Sequence, residues 1–312
     1  MTIKDRRIIF FGTPEFAAYS LKHLLADGFN IVAVVTAPDK QAGRGMKFQE
    51  SAVKQAALEN GIQVLQPMKL KDPSFIETLL NLKPDIQIII AFRMLPEVVW
   101  NLPKLGTINL HASLLPDYRG AAPINWAIIK GESETGITTF RLKHEIDSGD
   151  ILLQQKITIP PDMDAGSLHD VLMHEGAILM SKTIKEIFDE TIKPIEQTHQ
   201  STKTAPKIFT EDCKINWNAK ASDINNHIRG LSPYPGAYTL LHGQIFKIFK
   251  STISLEKHNF EPGLLCSDGK STLKYSCIDG FIHLEIIQLA GKKRMQVADF
   301  LKGNKISMDY LI

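Results

Sequence analysis

Cysteine is scarce: Cys213, Cys266 and Cys277 are the three in 312 residues, an odd number with no C-x-x-C spacing. That excludes a disulfide framework and a cysteine-based zinc cluster, and it suits a reducing cytosol. Long apolar runs are missing as well. One of the strongest, Ile86 to Phe92, has the length of a strand rather than of a bilayer span. The chain enters its first strand directly after Arg6-Arg7, without an apolar leader, so a cytoplasmic protein with no membrane attachment is expected. Only Gly12 stands where a dinucleotide-binding turn needs three glycines, which removes a nicotinamide or flavin reading even though Asp39 follows the next strand. G-x-x-x-x-G-K-[ST] is absent, excluding a nucleoside-triphosphate loop, and His169 and His174 stand five apart instead of at zinc-binding i, i+4 spacing. No metal is expected. Charge of one sign is also lacking. The net value is +2, although residues 207–312 carry 14 Lys/Arg against 10 Asp/Glu, hence +4, and the remainder carries 22 against 24, hence −2. By itself that asymmetry is a weak pointer to a polyanionic partner.

What is present is an ordinary globular composition, 44% hydrophobic and 22% charged, in a chain long enough for two cores. Apolar strand-like runs at 7–11, 31–37, 63–65, 85–92, 135–142 and 151–159 alternate with helical patterns. The longest of these helices, about Ser167 to Glu190, has a 3.6-residue apolar stripe. The first helix should start with Thr13 as N-cap and Pro14 in its first turn. Pro38 to Glu50 reads as a long functional loop, with Arg44 between Gly43 and Gly45 and with Lys40 and Lys47 nearby. This alternation predicts an α/β domain with a doubly wound, mostly parallel sheet. After a polar, Pro-containing stretch at 192–207, short runs broken by Gly, Asp and Ser predict a small antiparallel β-barrel of five or six strands. The expected domains are 1–206 and 207–312.

The chemistry gathers around Gly106 to Gly120. Ile108 and Leu110 alternate with Asn109 and His111, so on a strand the amide and the imidazole share a face. The same pattern fits a strand whose polar face is merely wet. A Pro- and Gly-punctuated loop follows, as substrate-lining segments do. A third polar group, Asp147, comes from the Ile146-Asp147-Ser148-Gly149-Asp150 loop after another strand. No nucleophile elbow accompanies His111. Together the three groups suit acyl transfer without a covalent intermediate: Asn109 for a developing oxyanion, His111 for a proton, Asp147 to orient and bias the ring.

At these residues the chain resembles the folate-dependent formyltransferase family. Asn109-Leu110-His111-Ala112-Ser113-Leu114-Leu115-Pro116 and Asp147-Ser148-Gly149-Asp150 are similar to its two signatures. The resemblance implies Asn109, His111 and Asp147 as catalytic residues, 10-formyltetrahydrofolate as formyl donor, and a Rossmann-like catalytic domain followed by an OB-like barrel. It also implies a folate pocket from Phe92, Met94, Leu95, Ser113, Leu114, Leu115 and Pro116. The acceptor rests on other stretches. Phe11 to Ala17, Pro38-Asp39, Ala42 to Gly45, Tyr118 to Ile124, Pro233 to Ala237 and Ala290 to Lys293 resemble the branch of the family that formylates methionyl-tRNA.

That branch implies initiator methionyl-tRNA as partner. Lys40, Arg44 and Lys47 would reach its acceptor end, and Lys292, Lys293 and Arg294 would supply salt-sensitive phosphate contacts. A monomer is expected. The chain departs from the family where a Tyr-Gly pair is usual, carrying Phe92-Arg93-Met94-Leu95 instead. Two other readings stay open at this point. One is formylation of a small amine such as an amino nucleotide sugar; the other is a binding module whose β domain grips RNA beside an inert α/β domain.

Overall fold

The structure is a computed structural model and describes residues 3–42, 47–197, 201, 203–304 and 310–311. In chain order the first part runs β1 (Arg7–Gly12), α1 (Glu15–Ala26), β2 (Asn30–Val35), β3 (Lys40–Ala42), β4 (Lys47–Gln49), α2 (Ala52–Glu59) and β5 (Gln63–Leu65). It continues with α3 (Pro73–Asn81), β6 (Ile86–Ile90), α4 (Glu97–Trp100), β7 (Thr107–His111), β8 (Arg119–Gly120), α5 (Pro123–Ile129), β9 (Glu134–Arg141), β10 (Ile151–Thr158), α6 (Ala165–Phe188) and β11 (Thr204–Ala205). The remainder runs α7 (Ala221–Gly230), β12 (Ala237–Leu241), β13 (Gln244–Ser254), β14 (Leu265–Ser267), β15 (Leu273–Ser276), β16 (Phe281–Leu289), β17 (Met295–Gln296), α8 (Val297–Gly303) and β18 (Tyr310–Leu311).

Packing divides the chain into two compact units that interleave in sequence. One holds 1–120, 136–157 and 170–203, and the other 121–135, 158–169 and 204–312. The first unit is built on a seven-stranded sheet in the order β10-β9-β7-β6-β1-β2-β5. β5, β2, β1, β6 and β7 run parallel, and β9 pairs antiparallel with β7. The doubly wound, mostly parallel sheet expected from the sequence is therefore present. Ile8, Ile9, Phe10 and Phe11 of β1 are fully buried, as suits a strand covered on both faces. Gly12 ends it where a Cβ would lie 2.5 Å from Ala17 Cβ and 3.1 Å from the Ile90 carbonyl, so close packing of β1 on α1 and β6 requires glycine.

Helix starts in the structure differ slightly from those expected. Pro14, not Thr13, is the N-cap of α1 and makes no side-chain cap, whereas Ser51 caps α2 by accepting from the Lys54 N–H. The expected loop at 38–50 contains a short antiparallel hairpin, β3 with β4, in register Lys40↔Gln49. Its stem is held where the Asp39 carboxylate meets Lys54 Nζ at 2.5 Å and Gln66 Nε2 at 2.8 Å.

In the second unit the strand path is β12-β13-β16-β15-β14-β18, with β17 on β16. It is a half-barrel: adjacent pairs are antiparallel except β14 with β18, which is parallel. The apolar strand faces bury Phe246, Ile248, Leu273, Tyr275, Ile282 and Ile287 beneath α7 and α8, which contribute Ile224, Ile228, Phe300 and Leu301. α5 belongs to this unit: Asn125 Nδ2 donates to the Gly230 carbonyl at 2.8 Å, and Gly230 leaves no space for a Cβ beside Ile129.

Burial gives this unit an acid-sensitive element. Desolvation pushes the His227 and His283 imidazoles below the ordinary histidine range. The unfolded chain then binds protons at a pH where the folded unit does not, so stability falls as pH drops through about 6.5. Thermal melting at pH 7.5 and 5.5 checks this. The loss should shrink in His227→Gln, and equal melting of the wild type at both values would refute it.

Candidate active site

β7 sits between a parallel neighbour, β6, and an antiparallel one, β9, with pairings Ile89↔Asn109, Asn109↔Phe140 and His111↔Thr138. Ile108 and Leu110 go into the core, so strand alternation presents Asn109 and His111 on one face. The Asn109 side chain is half-buried, and among the described residues its amide has no hydrogen-bond partner. A half-buried amide of this kind has its donors available to a ligand.

His111 is buried and doubly defined. Its Nε2 lies 2.9 Å from the Tyr118 carbonyl oxygen. A carbonyl only accepts, so Nε2 carries the hydrogen and Nδ1 is the nitrogen left for proton exchange. Nδ1 faces Asp147 Oδ2 at 3.8 Å, longer than a direct hydrogen bond. The same Oδ2 accepts the Gly120 N–H at 3.1 Å. The structure thus brings His111 and Asp147 together.

The loops that do this are strained. Ala91, Tyr118 and Asp147 have φ of +48°, +58° and +50°, a left-handed conformation that costs a side-chain-bearing residue about 1–2 kcal/mol. Gly149 admits no alternative, because a Cβ there would lie 1.6 Å from the Arg141 carbonyl oxygen. Gly149→Ala should therefore displace the Asp147 loop, destabilise the fold by about 1–3 kcal/mol, and reduce turnover by at least about tenfold, since misplaced groups lose effective molarity. Denaturant unfolding and steady-state kinetics test both parts; wild-type turnover would show that the loop tolerates displacement.

Segment 113–118 is braced by polar groups that the sequence did not single out. Thr138 Oγ1 donates to the Ser113 carbonyl at 2.7 Å and accepts the Leu115 N–H at 3.1 Å. Gln154 Nε2 donates to the Leu115 carbonyl at 2.8 Å and to Thr138 Oγ1 at 2.9 Å. Both residues sit on ordinary-looking strands, and no local signal marks them. Ser113 is fully buried, and its hydroxyl donates to the Asp117 carbonyl at 2.6 Å.

The residues expected to line a folate pocket divide by role. Leu95 and Leu115 are core residues, and the Ser113 hydroxyl is an internal brace. Phe92, Leu114 and Pro116 are half-buried, and Met94 is 71% exposed. Phe92 meets Phe11 edge to face, with ring centroids 5.7 Å apart. Main-chain groups of Phe92 to Leu95 form no hydrogen bond among the described residues. Apolar side chains thus stand here beside unspent main-chain donors and acceptors, a combination that ligand pockets use. The Arg93 guanidinium donates to the Pro67 and Met68 carbonyls at 2.5 and 3.2 Å and lies 5.9 Å from the Phe92 ring centroid.

Among the expected RNA contacts, Lys40 is exposed, Lys47 lies in β4 with its side chain outside the described set, and Arg44 lies outside the described residues. Lys292 and Lys293 are exposed on a turn. Arg294 is exposed too, stacked 3.6 Å over the Phe249 ring and donating to the Pro233 carbonyl at 2.5 Å. Among the described residues, no group of three or more His, Cys, Asp or Glu side chains could hold a metal ion, and no helix is long and apolar enough to cross a membrane.

Comparison with known proteins decides the family. The family description "Formyl transferase" matches residues 6–200, and "Formyl transferase, C-terminal domain" matches residues 207–305. The chain belongs to the formyl transferase family. Within it, the chain is 52% identical to the methionyl-tRNA formyltransferase of Azobacteroides pseudotrichonymphae, over 97% of this chain and 98% of that one. It is 48% identical to the methionyl-tRNA formyltransferase of Bacteroides thetaiotaomicron over 99% of both. Among solved structures, an N-formyltransferase from Helicobacter canadensis, in complex with folinic acid and dTDP-3-aminofucose, aligns with TM-score 0.69 at 24% identity. The alignment covers 89% of this chain and 98% of that one. At that identity it speaks for the formyl transferase fold alone.

Proposed function

We propose that Asn109, His111 and Asp147 carry the transfer of a formyl group from 10-formyltetrahydrofolate to the α-amino group of methionyl initiator tRNA, the reaction that prepares this tRNA for translation initiation. The full-length relatives at 48–52% identity are methionyl-tRNA formyltransferases. The amino-sugar reading has only a distant likeness of fold behind it, and it is not favoured. The observation that carries the catalytic assignment is the unpartnered Asn109 amide on the strand face of His111, whose Nδ1 faces Asp147.

10-Formyltetrahydrofolate supplies an activated formyl carbon. Asn109 donates its amide N–H to the formyl oxygen as negative charge grows there. One such preorganised donor contributes on the order of 3–4 kcal/mol, about 10²–10³ in rate. His111, with Nε2–H committed to the Tyr118 carbonyl, takes at Nδ1 the proton that the amine sheds as its new bond to the formyl carbon forms, and returns a proton to N10 as the N10–formyl bond breaks and tetrahydrofolate leaves. Asp147 faces that nitrogen and favours the positive charge that forms on it. Phe92, Met94, Leu114 and Pro116 wall the donor, while main-chain groups of 92–95 bond it. Leu95, Ser113 and Leu115 complete the donor site from its buried side.

Residues 1–206 act as the catalytic domain and 207–312 as the tRNA-binding domain. Lys40, Arg44 and Lys47 engage the acceptor end, and Lys292 and Lys293, with the +4 of 207–312, meet phosphates. Arg294 meets phosphate with them from its place over the Phe249 ring. The protein works as a cytoplasmic monomer free of membranes.

The decisive experiment follows tetrahydrofolate release by purified protein given 10-formyltetrahydrofolate with charged initiator tRNA, and separately with small amines. Rapid turnover with the tRNA alone supports this reading, and preferential turnover of an amino sugar overturns it. Arg44→Ala should raise KM for the tRNA at moderate salt and leave that for the donor; unchanged tRNA kinetics would make 40–47 an ordinary surface loop.

A further inference from the structure

Gln197 lies in a polar, irregular stretch after α6, where nothing in the sequence suggests a role. Yet it is 3% exposed, and both ends of its amide are used. Nε2 donates to the Asp147 carbonyl at 2.9 Å and to the Gly149 carbonyl at 2.7 Å. Oε1 accepts from Arg119 Nε at 3.2 Å and Arg119 Nη2 at 2.5 Å. Arg119 immediately precedes Gly120, whose N–H holds the Asp147 carboxylate at 3.1 Å. One amide therefore ties the main chain of Asp147 to the segment that carries its carboxylate's hydrogen-bond donor.

We propose that Gln197 is a positioning residue for the Asp147–His111 pair: it closes a ring of contacts that sets the distance between the carboxylate and His111 Nδ1. The proposal rests on the catalytic role given above to Asp147. Two features of the loop call for such a tie. Asp147 is held at φ +50°, a conformation it keeps only if its surroundings over-determine it. The loop also turns through Gly149, which packs directly on the Arg141 carbonyl. Gln197 satisfies two carbonyls of this turn, that of Gly149 buried, and a buried group stripped of its partner carries a full desolvation cost. An amide suits the position because it offers two N–H groups on one side and an acceptor for a guanidinium on the other.

The test uses Gln197→Glu and Gln197→Met in the full-length protein. Glu keeps the shape and the acceptor for Arg119 but turns oxygen towards the two carbonyls. Met keeps approximate volume and removes both functions. Each should lower kcat at least about tenfold, with KM for 10-formyltetrahydrofolate and for methionyl-tRNA within about twofold of wild type. Each should add little to the loss already caused by Asp147→Asn, because groups acting through one another are not additive. Full additivity with Asp147→Asn, or wild-type kcat in a folded Gln197→Glu, would overturn the proposal. Should Met prevent folding, the Glu variant alone decides. Wild-type turnover of Asp147→Asn by itself would instead remove Asp147 from the mechanism, so failure of that assignment is told apart from failure of this one.

Discussion

Asn109→Ala is expected to lower kcat by about 10²–10³, the cost of one oxyanion donor, while binding of 10-formyltetrahydrofolate changes little. The side chain is half-buried and bonds to no described residue, so its removal breaks no internal contact that would unfold β7. Its flanking residues Ile108 and Leu110 hold the strand in the core regardless. The loss should therefore fall on a step in which charge develops, and an interaction made only there lowers kcat and kcat/KM equally. Single-turnover formylation with saturating donor, beside equilibrium donor binding, separates the two. Wild-type turnover, or a loss confined to donor binding, would remove Asn109 from the oxyanion role.

Asp147→Asn is the second large effect. The substitution keeps size and lets the Gly120 N–H retain an acceptor, but it withdraws negative charge 3.8 Å from His111 Nδ1. His111 keeps its ring orientation through the Tyr118 carbonyl, so geometry is largely preserved and the charge is what is tested. General acid–base catalysis contributes about 10²–10⁴ in rate, and turnover should fall by about 10² or more. Wild-type turnover of a folded Asp147→Asn would exclude Asp147 from the proton path.

Much of the architecture is legible along the chain because it is written at short range. The apolar run of β1 and the alternation at 108–111 specify strands by composition and period. Boundaries slip where local chemistry gives equal answers. Thr13 and Pro14 both suit the start of α1, and hydrogen bonding settles it one residue later than expected. The hairpin inside 38–50 is not visible in its charged, glycine-rich sequence; its three-residue strands pair above a stem held by Lys54 and Gln66, side chains from later in the chain.

The site divides the same way. Asn109 and His111 are legible as a pair because two residues of strand spacing put them on one face. The burial of Ser113 and Leu115 and their bracing by Thr138 and Gln154 are not legible, because those partners come from strands later in the chain. Along the chain Arg294 is only part of a basic run, and folding sets it over Phe249 and bonds it to a carbonyl.

The sequence by itself determined the alternating α/β order, the β-rich second part, and the Asn109, His111 and Asp147 set with its family signature. These depend on residue type and on periods of 2 and 3.6, which act within a few positions. Tertiary structure decided that Asp147 lies 3.8 Å from an imidazole 36 positions before it, that the Tyr118 carbonyl leaves Nδ1 for proton exchange, and that Gln197 holds the Asp147 loop. Those are contacts between segments far apart in the chain, set by how the sheet and its loops pack, and no local pattern encodes a distance of that kind.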